Sequence, residues 1–151
     1  MIAPDVNVLL YSLREESDRH SEYRGWLEAA LNADEPVVLF EPVLAATLRI
    51  ATHPAVYKTP TPWGIAEKYL AALLAAPAAV SWRAGERHWS LFLDLCRKAD
   101  CKGNLVQDAY LAALALEHGC RWITTDRDFS RFPRLVWRHP LEHAQDVQNP
   151  G

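Results

Sequence analysis

Val37-Val38-Leu39-Phe40 is an unbroken apolar run, closed at once by Glu41-Pro42. A strand with one wet face alternates polar and apolar residues. A continuous run reads instead as a strand buried on both faces, the kind found in parallel sheets covered by helices. The other elements alternate in the manner such a sheet requires. Ile2-Ala3-Pro4 is a second short apolar run, and Val6 to Leu13 follows as a short helix. Pro4 has no N–H for a ladder bond, so it belongs at the last residue of its strand. Tyr23, Trp26, Leu27, Ala30 and Leu31 fall on one helical face. Pro42 opens a helix to about Ala51, 53–62 is a proline-rich loop, and Thr61-Pro62 begins a helix that Pro77 ends. Residues 79–82 read as a weaker strand, and Trp89, Phe92, Leu93 and Cys96 as one face of a helix. Asn104 and Gln107 have capping-box spacing at the head of a helix running to His118, with Gly119 as its stop. Strands are expected at 122–125 and 135–137. The expected fold class is α/β: a three-layer α/β/α sandwich with a mainly parallel central sheet.

The chain has 151 residues, a single-domain length, with half of them apolar and 23% charged. We expect one domain over 1–141 and a polar tail over 142–151. The net charge of −3 offers no global attraction to nucleic acid. Residues 121–138 differ, carrying Arg121, Arg127, Arg131, Arg134 and Arg138 against Asp126 and Asp128. That patch could meet a phosphate backbone or simply pair internally. Cys96, Cys101 and Cys120 have no metal-ligand spacing and read as free thiols in a reducing, cytoplasmic setting. There is no signal-peptide pattern, and the longest apolar stretch, 69–80, is too short to span a bilayer.

Three acids stand at the junctions of these elements. Asp5 closes the first strand, Asp108 lies one turn into the Asn104 helix, and Asp126 follows the strand near Trp122. A parallel sheet gathers such positions at one edge, where ligands bind in open α/β folds. Carboxylates brought together there repel unless a divalent cation neutralises them, and hard oxygen donors select Mg²⁺, or Mn²⁺ in its place. Asp5, Asp108 and Asp126 should therefore converge closely enough to share an ion. Asn104 lies on the same helix face as Asp108 and could line the pocket or cap the helix. Arg127, Arg131 and Arg138 would hold the phosphate backbone without reading sequence.

The segments Asp5-Val6-Asn7-Val8-Leu9-Leu10-Tyr11, Leu48-Arg49-Ile50-Ala51-Thr52-His53-Pro54, Gly103-Asn104-Leu105-Val106-Gln107-Asp108 and Thr124-Thr125-Asp126-Arg127-Asp128-Phe129 occur in that order. This combination, over roughly 1–141, resembles the PIN-domain nucleases, and more narrowly the VapC toxins of bacterial toxin–antitoxin pairs. The resemblance implies a Mg²⁺-dependent endoribonuclease, a homodimer and a VapB-type antitoxin partner. It matches Asp5 and Asp108 to the family's metal-binding acids, Asp126 to the acid after the fourth strand, and Asn7, Thr124 and Thr125 to polar pocket positions. Asp128 is a further candidate ligand. The chain departs from the family pattern at Ala46, where most members carry a Glu; Glu41 is the nearest acid that could substitute.

Each residue also has a plain structural use. Asp5 could cap a helix, Asp108 could face the helix dipole, Asp126 and Asp128 could form an Asx-turn, and Glu41 could cap the Pro42 helix. His139 and His143 have helical ligand spacing, but Pro140 intervenes and they read as structural. Trp26, Trp82, Trp89, Trp122 and Trp137 read as core. Trp63, in the proline-rich loop, is a candidate partner contact, as are the short Val6 helix and the Tyr23–Trp26 face. Other activities fit less well. A phosphatase with Asp5 as nucleophile would want a second Asp where Asn7 stands, whereas a non-catalytic RNA-binding module would accommodate Ala46.

Overall fold

Asp5 leaves the sheet immediately after Pro4, the final residue of β1 (Ile2–Pro4), so the missing proline N–H costs no interior ladder bond. The computed structural model describes residues 1–142. The polar tail expected over 142–151, and His143 with it, lies almost wholly outside the described residues. The chain then forms α1 (Val6–Leu13), α2 (His20–Leu31) and β2 (Val37–Phe40). There follow α3 (Glu41–Ala51), α4 (Trp63–Leu74), β3 (Ala79–Trp82) and α5 (His88–Lys98). The remainder is α6 (Asn104–His118), β4 (Arg121–Ile123), a 3₁₀ helix (Arg127–Arg131) and β5 (Trp137–Arg138).

All strand pairs are parallel, in the order β3-β2-β1-β4-β5. Ile2 is opposite Val37 on one side, and Ala3 and Pro4 are opposite Trp122 and Ile123 on the other. The four residues of β2 are all buried, as their unbroken apolar run requires. Helices cover the sheet, with α5 packed along α6, and α1 against α2 and α3, giving the three-layer sandwich. The strand order reverses direction at β1: the chain first builds outward through β2 and β3, then returns to the other side as β4. A crevice opens at such a reversal, at the carboxyl ends of the strands.

Four local expectations need correction. On α5, the buried face is His88, Phe92 and Leu95, one position away from the expected set. His88 stacks with Phe92, and its Nε2 lies 3.0 Å from the Tyr110 carbonyl, which turns Trp89 outward to 62% exposure and leaves Leu93 exposed. Of the other tryptophans, Trp122 is fully buried, while Trp26, Trp82 and Trp137 are partly buried against the core. The Asn104–Gln107 capping box does not form. Gly103 holds the cap position at φ 57°, ψ −129°, and Asn104 is already inside the first turn. β4 ends at Ile123, although the Thr124 N–H still donates to the Arg138 carbonyl at 3.1 Å, and β5 spans only Trp137–Arg138, with Arg134 at φ 67° before it.

Candidate active site

Asp5 is the N-cap of α1, its Oδ1 accepting from the Val6 N–H at 2.7 Å. Its Oδ2 accepts from the Thr124 hydroxyl at 2.7 Å and from Asn7 Nδ2 at 3.1 Å. Asn7 also donates to Thr124 Oγ1 at 3.2 Å and accepts from the Thr125 N–H at 3.3 Å. The same Thr124 oxygen accepts from the Asp126 N–H at 3.0 Å. One small network therefore ties the end of β1 to the end of β4 and fixes where Asp5 and Asp126 stand. Its members are far apart in the chain and adjacent only because β1 and β4 are neighbours.

Asp126 caps the 3₁₀ helix in an Asx-turn, its Oδ1 accepting from the Asp128 N–H at 2.8 Å. Asp108 projects from the first turns of α6, half-buried, and has no hydrogen-bond partner among the described residues. Asp5, Asp108 and Asp126 line one cleft of about 640 Å³ with Asn7, Asn104 and Gln107. Its apolar wall includes Pro42, Ala45, Ala46 and Ile50 of α3 and Leu111 of α6, and Arg49 lines it too.

The electrostatics follow from the crowding. Burial pushes the Asp5 carboxyl up to about 6, outweighing the hydrogen bonds that favour its charged form, and Asp126 adds repulsion. Asp108 is also raised to about 6, by burial first and then by Asp126, Asp5 and Asp128. The convergence is looser than the sequence suggested: among the described residues, no three acid, histidine or cysteine side chains gather tightly enough to enclose an ion. Asp5 is held by its hydrogen bonds, and Asp108 faces it from a separate helix. The donor set nonetheless suits a hard divalent cation, because every candidate ligand is a carboxylate oxygen and Asp5, Asp108 and Asp126 form no ion pair among the described residues. Mg²⁺ retains part of its water shell and needs only one or two carboxylates.

The remaining candidates are distributed unevenly. Glu41 begins α3 and pairs with Arg83 at 2.7 Å, so the structure does not bring it to the cleft, and Ala46 leaves that wall without a carboxylate. Asp128 is exposed, 3.9 Å from Arg131, and also off the cleft wall. Arg127 is exposed directly after Asp126. Arg138 turns into a separate recess with Ile2, Trp26 and Glu35, and its Nε is buried without a partner. The basic segment is therefore not one continuous surface beside the acids. Gln107 and Arg49 are cleft residues that sequence reasoning passed over. Gln107 was visible at helical spacing from Asn104, and Arg49 one turn beyond Ala46 on α3.

A parallel sheet with acids gathered at its reversal point defines a class, and the comparisons agree: residues 2–135 match the PIN domain model, and the chain belongs to the PIN domain family. Within it, the chain is 48% identical over 142 residues to VapC ribonuclease Mb2897 of Mycobacterium bovis, covering 94% of this chain and 97% of that one. It is 38% identical over 132 residues to ribonuclease VapC31 of Mycobacterium tuberculosis, covering 87% and 93%. Its place is thus among the VapC ribonucleases. Among solved structures, VapBC2 from Rickettsia felis, bound to a DNA fragment from its promoter, shares the fold at a TM-score of 0.65 and 16% identity, covering 92% and 98%. No helix among the described residues is long and apolar enough to cross a membrane.

Proposed function

We propose that this chain is a Mg²⁺-dependent endoribonuclease, the toxin of a type II toxin–antitoxin pair, acting in the cytoplasm through a domain spanning 1–141. The observation that carries the reading is the presence of Asp5, Asp108 and Asp126, from three separate segments, on one cleft at the reversal point of the sheet. Its relatives named as VapC ribonucleases support it.

Hydrolysis needs a neutralised phosphate, an activated water and a stabilised leaving oxygen. A divalent cation bound by the acids would supply charge neutralisation and lower the pKa of its water, and Mn²⁺ would serve in its place. The chain's own residues do the rest. Thr124 and Asn7 hold Asp5 in one orientation, so its charge is aimed before substrate arrives. Asp108, without a hydrogen-bond partner, is free to contribute both oxygens. Asn104 and Gln107 offer amide donors and acceptors along the α6 wall. Arg127, exposed beside Asp126, would hold a phosphate of the RNA backbone.

A VapB-type antitoxin is the expected partner, since the Rickettsia relative was solved as a VapBC complex. The decisive experiment is cleavage of a structured RNA with Mg²⁺, with chelator, and with Mn²⁺ restored after chelation. Metal-dependent cleavage is expected. Full activity in excess chelator would refute the reading. Binding without cleavage under all three conditions would select the non-catalytic RNA-binding module, the alternative that Ala46 favours.

A further inference from the structure

We propose that Arg49 is a substrate-positioning residue, gripping a phosphate of the RNA strand on the α3 side of the cleft. The inference deepens the ribonuclease reading and rests on it. Arg49 sits in the last turn of α3, is exposed, and is one of the residues lining the cleft that holds the acids. It forms no ion pair among the described residues, unlike Arg83, Arg121 and Arg131, which are occupied by Glu41, Glu35 and Asp128.

Its position relative to the acids indicates its role. Arg49 and Asp108 line the same cleft, and no ion pair joins them among the described residues. The α3 wall before it is Pro42, Ala45 and Ala46, none with a polar side chain. An acid on that stretch would repel a phosphate and pair with Arg49. Ala46 removes both effects and leaves the guanidinium available. A strand threading the cleft would then meet the acids at one phosphate and Arg49 at a neighbouring one. A planar guanidinium suits that contact because it can donate two parallel hydrogen bonds to phosphate oxygens.

The test uses the full chain with Arg49→Gln and Arg49→Lys. Cleavage of a structured RNA in Mg²⁺ is measured, and binding of a labelled, mixed-sequence, single-stranded 12-nucleotide RNA is measured in an Asp108→Asn background, so that probe survives. Arg49→Gln should raise KM and weaken binding by about tenfold, with a smaller change in kcat, and should flatten the salt dependence of binding by about 0.7 in log–log slope, one phosphate contact of a single strand. Arg49→Lys should recover the slope but only part of the affinity. Melting should not move, because Arg49 is exposed and unpaired. An unchanged KM and slope in Arg49→Gln, in a protein that cuts RNA, would overturn the inference and leave the nuclease reading intact. A wild type that cuts nothing but binds RNA through Arg49 would do the reverse.

Discussion

Asp5 is only 5% exposed and accepts three hydrogen bonds, yet its carboxyl is raised to about 6 because burial and the neighbouring acid outweigh them. In the unfolded chain it titrates near 3.8, so between the two values the metal-free folded state binds more protons than the unfolded one. Its contribution is therefore least unfavourable below pH 4 and worsens as pH rises through about 6, at a cost on the order of 3 kcal/mol when fully ionised. Asp108 shifts in the same direction. Comparing urea unfolding of wild type with Asp5→Asn isolates this: in chelator, the wild type should lose stability relative to the variant between about pH 4 and about pH 7. A difference independent of pH would show that Asp5 does not carry the buried charge. Both Asp5→Asn and Asp108→Asn should lower RNA cleavage by at least a hundredfold, on the order of one lost electrostatic contact to the transition state. Mg²⁺ should raise the melting temperature of the wild type and much less that of either variant. These acids were legible in the sequence because Asp5 sits at the end of a strand and Asp108 one turn into a helix. Glu41 was legible for the wrong reason, since proximity in sequence to Ala46 could not reveal that Arg83 claims it.

The two glycines bracketing the long helix do different work. Gly119 stops α6 in an ordinary left-handed conformation, φ 67°, ψ 31°. Gly103 starts it at φ 57°, ψ −129°, a region where a Cβ is far less tolerable. An added Cβ at either position would meet no atom within 4 Å, so the cost is in the backbone itself. Gly119→Ala should cost about 1 kcal/mol and Gly103→Ala about 1–3 kcal/mol, read from denaturant midpoints. At matched stability, Gly103→Ala should also cut activity more, because the turn it launches carries Asn104, Gln107 and Asp108 into the cleft. Equal activity in the two variants would remove the link between that turn and the site. Helix faces and the β2 run could be read from apolar spacing, since burial on one or both faces leaves a periodic imprint. The rotation of α5 could not, because it depends on His88 finding the Tyr110 carbonyl in another helix.

As a molecule, the chain presents two sorts of surface. The cleft sets acids against an apolar wall, whereas the 53–62 loop and the first turn of α4 expose Val56, Trp63 and Ile65 singly, with Trp63 59% exposed. That loop is held by Arg14, which is buried over the Tyr57 ring and donates to the Thr59 carbonyl and the Thr61 hydroxyl, both at 2.9 Å. A rigid base under exposed aromatic and aliphatic side chains favours association, because little ordering entropy remains to be lost. Tyr23, by contrast, is buried between Tyr11 and His139 and cannot be the anchor its helical spacing suggested. We expect Trp63→Glu to weaken self-association or capture of the antitoxin in sedimentation without shifting the melting curve. Unchanged assembly would move the interface elsewhere, with the exposed Trp89 and Leu93 of α5 as the next surface to test.

The central place of β1 sets a timetable for the molecule's birth. Asp5 is translated well before Thr124, yet the hydroxyl that orients it belongs to Thr124, and the strand that brings that hydroxyl alongside is β4. The whole stretch between β1 and β4 must leave the ribosome before β1 gains its second neighbour. A network assembled this way stays incomplete until β4 has been made, so Asp5 gains its fixed orientation only after the chain has been extended past Thr124.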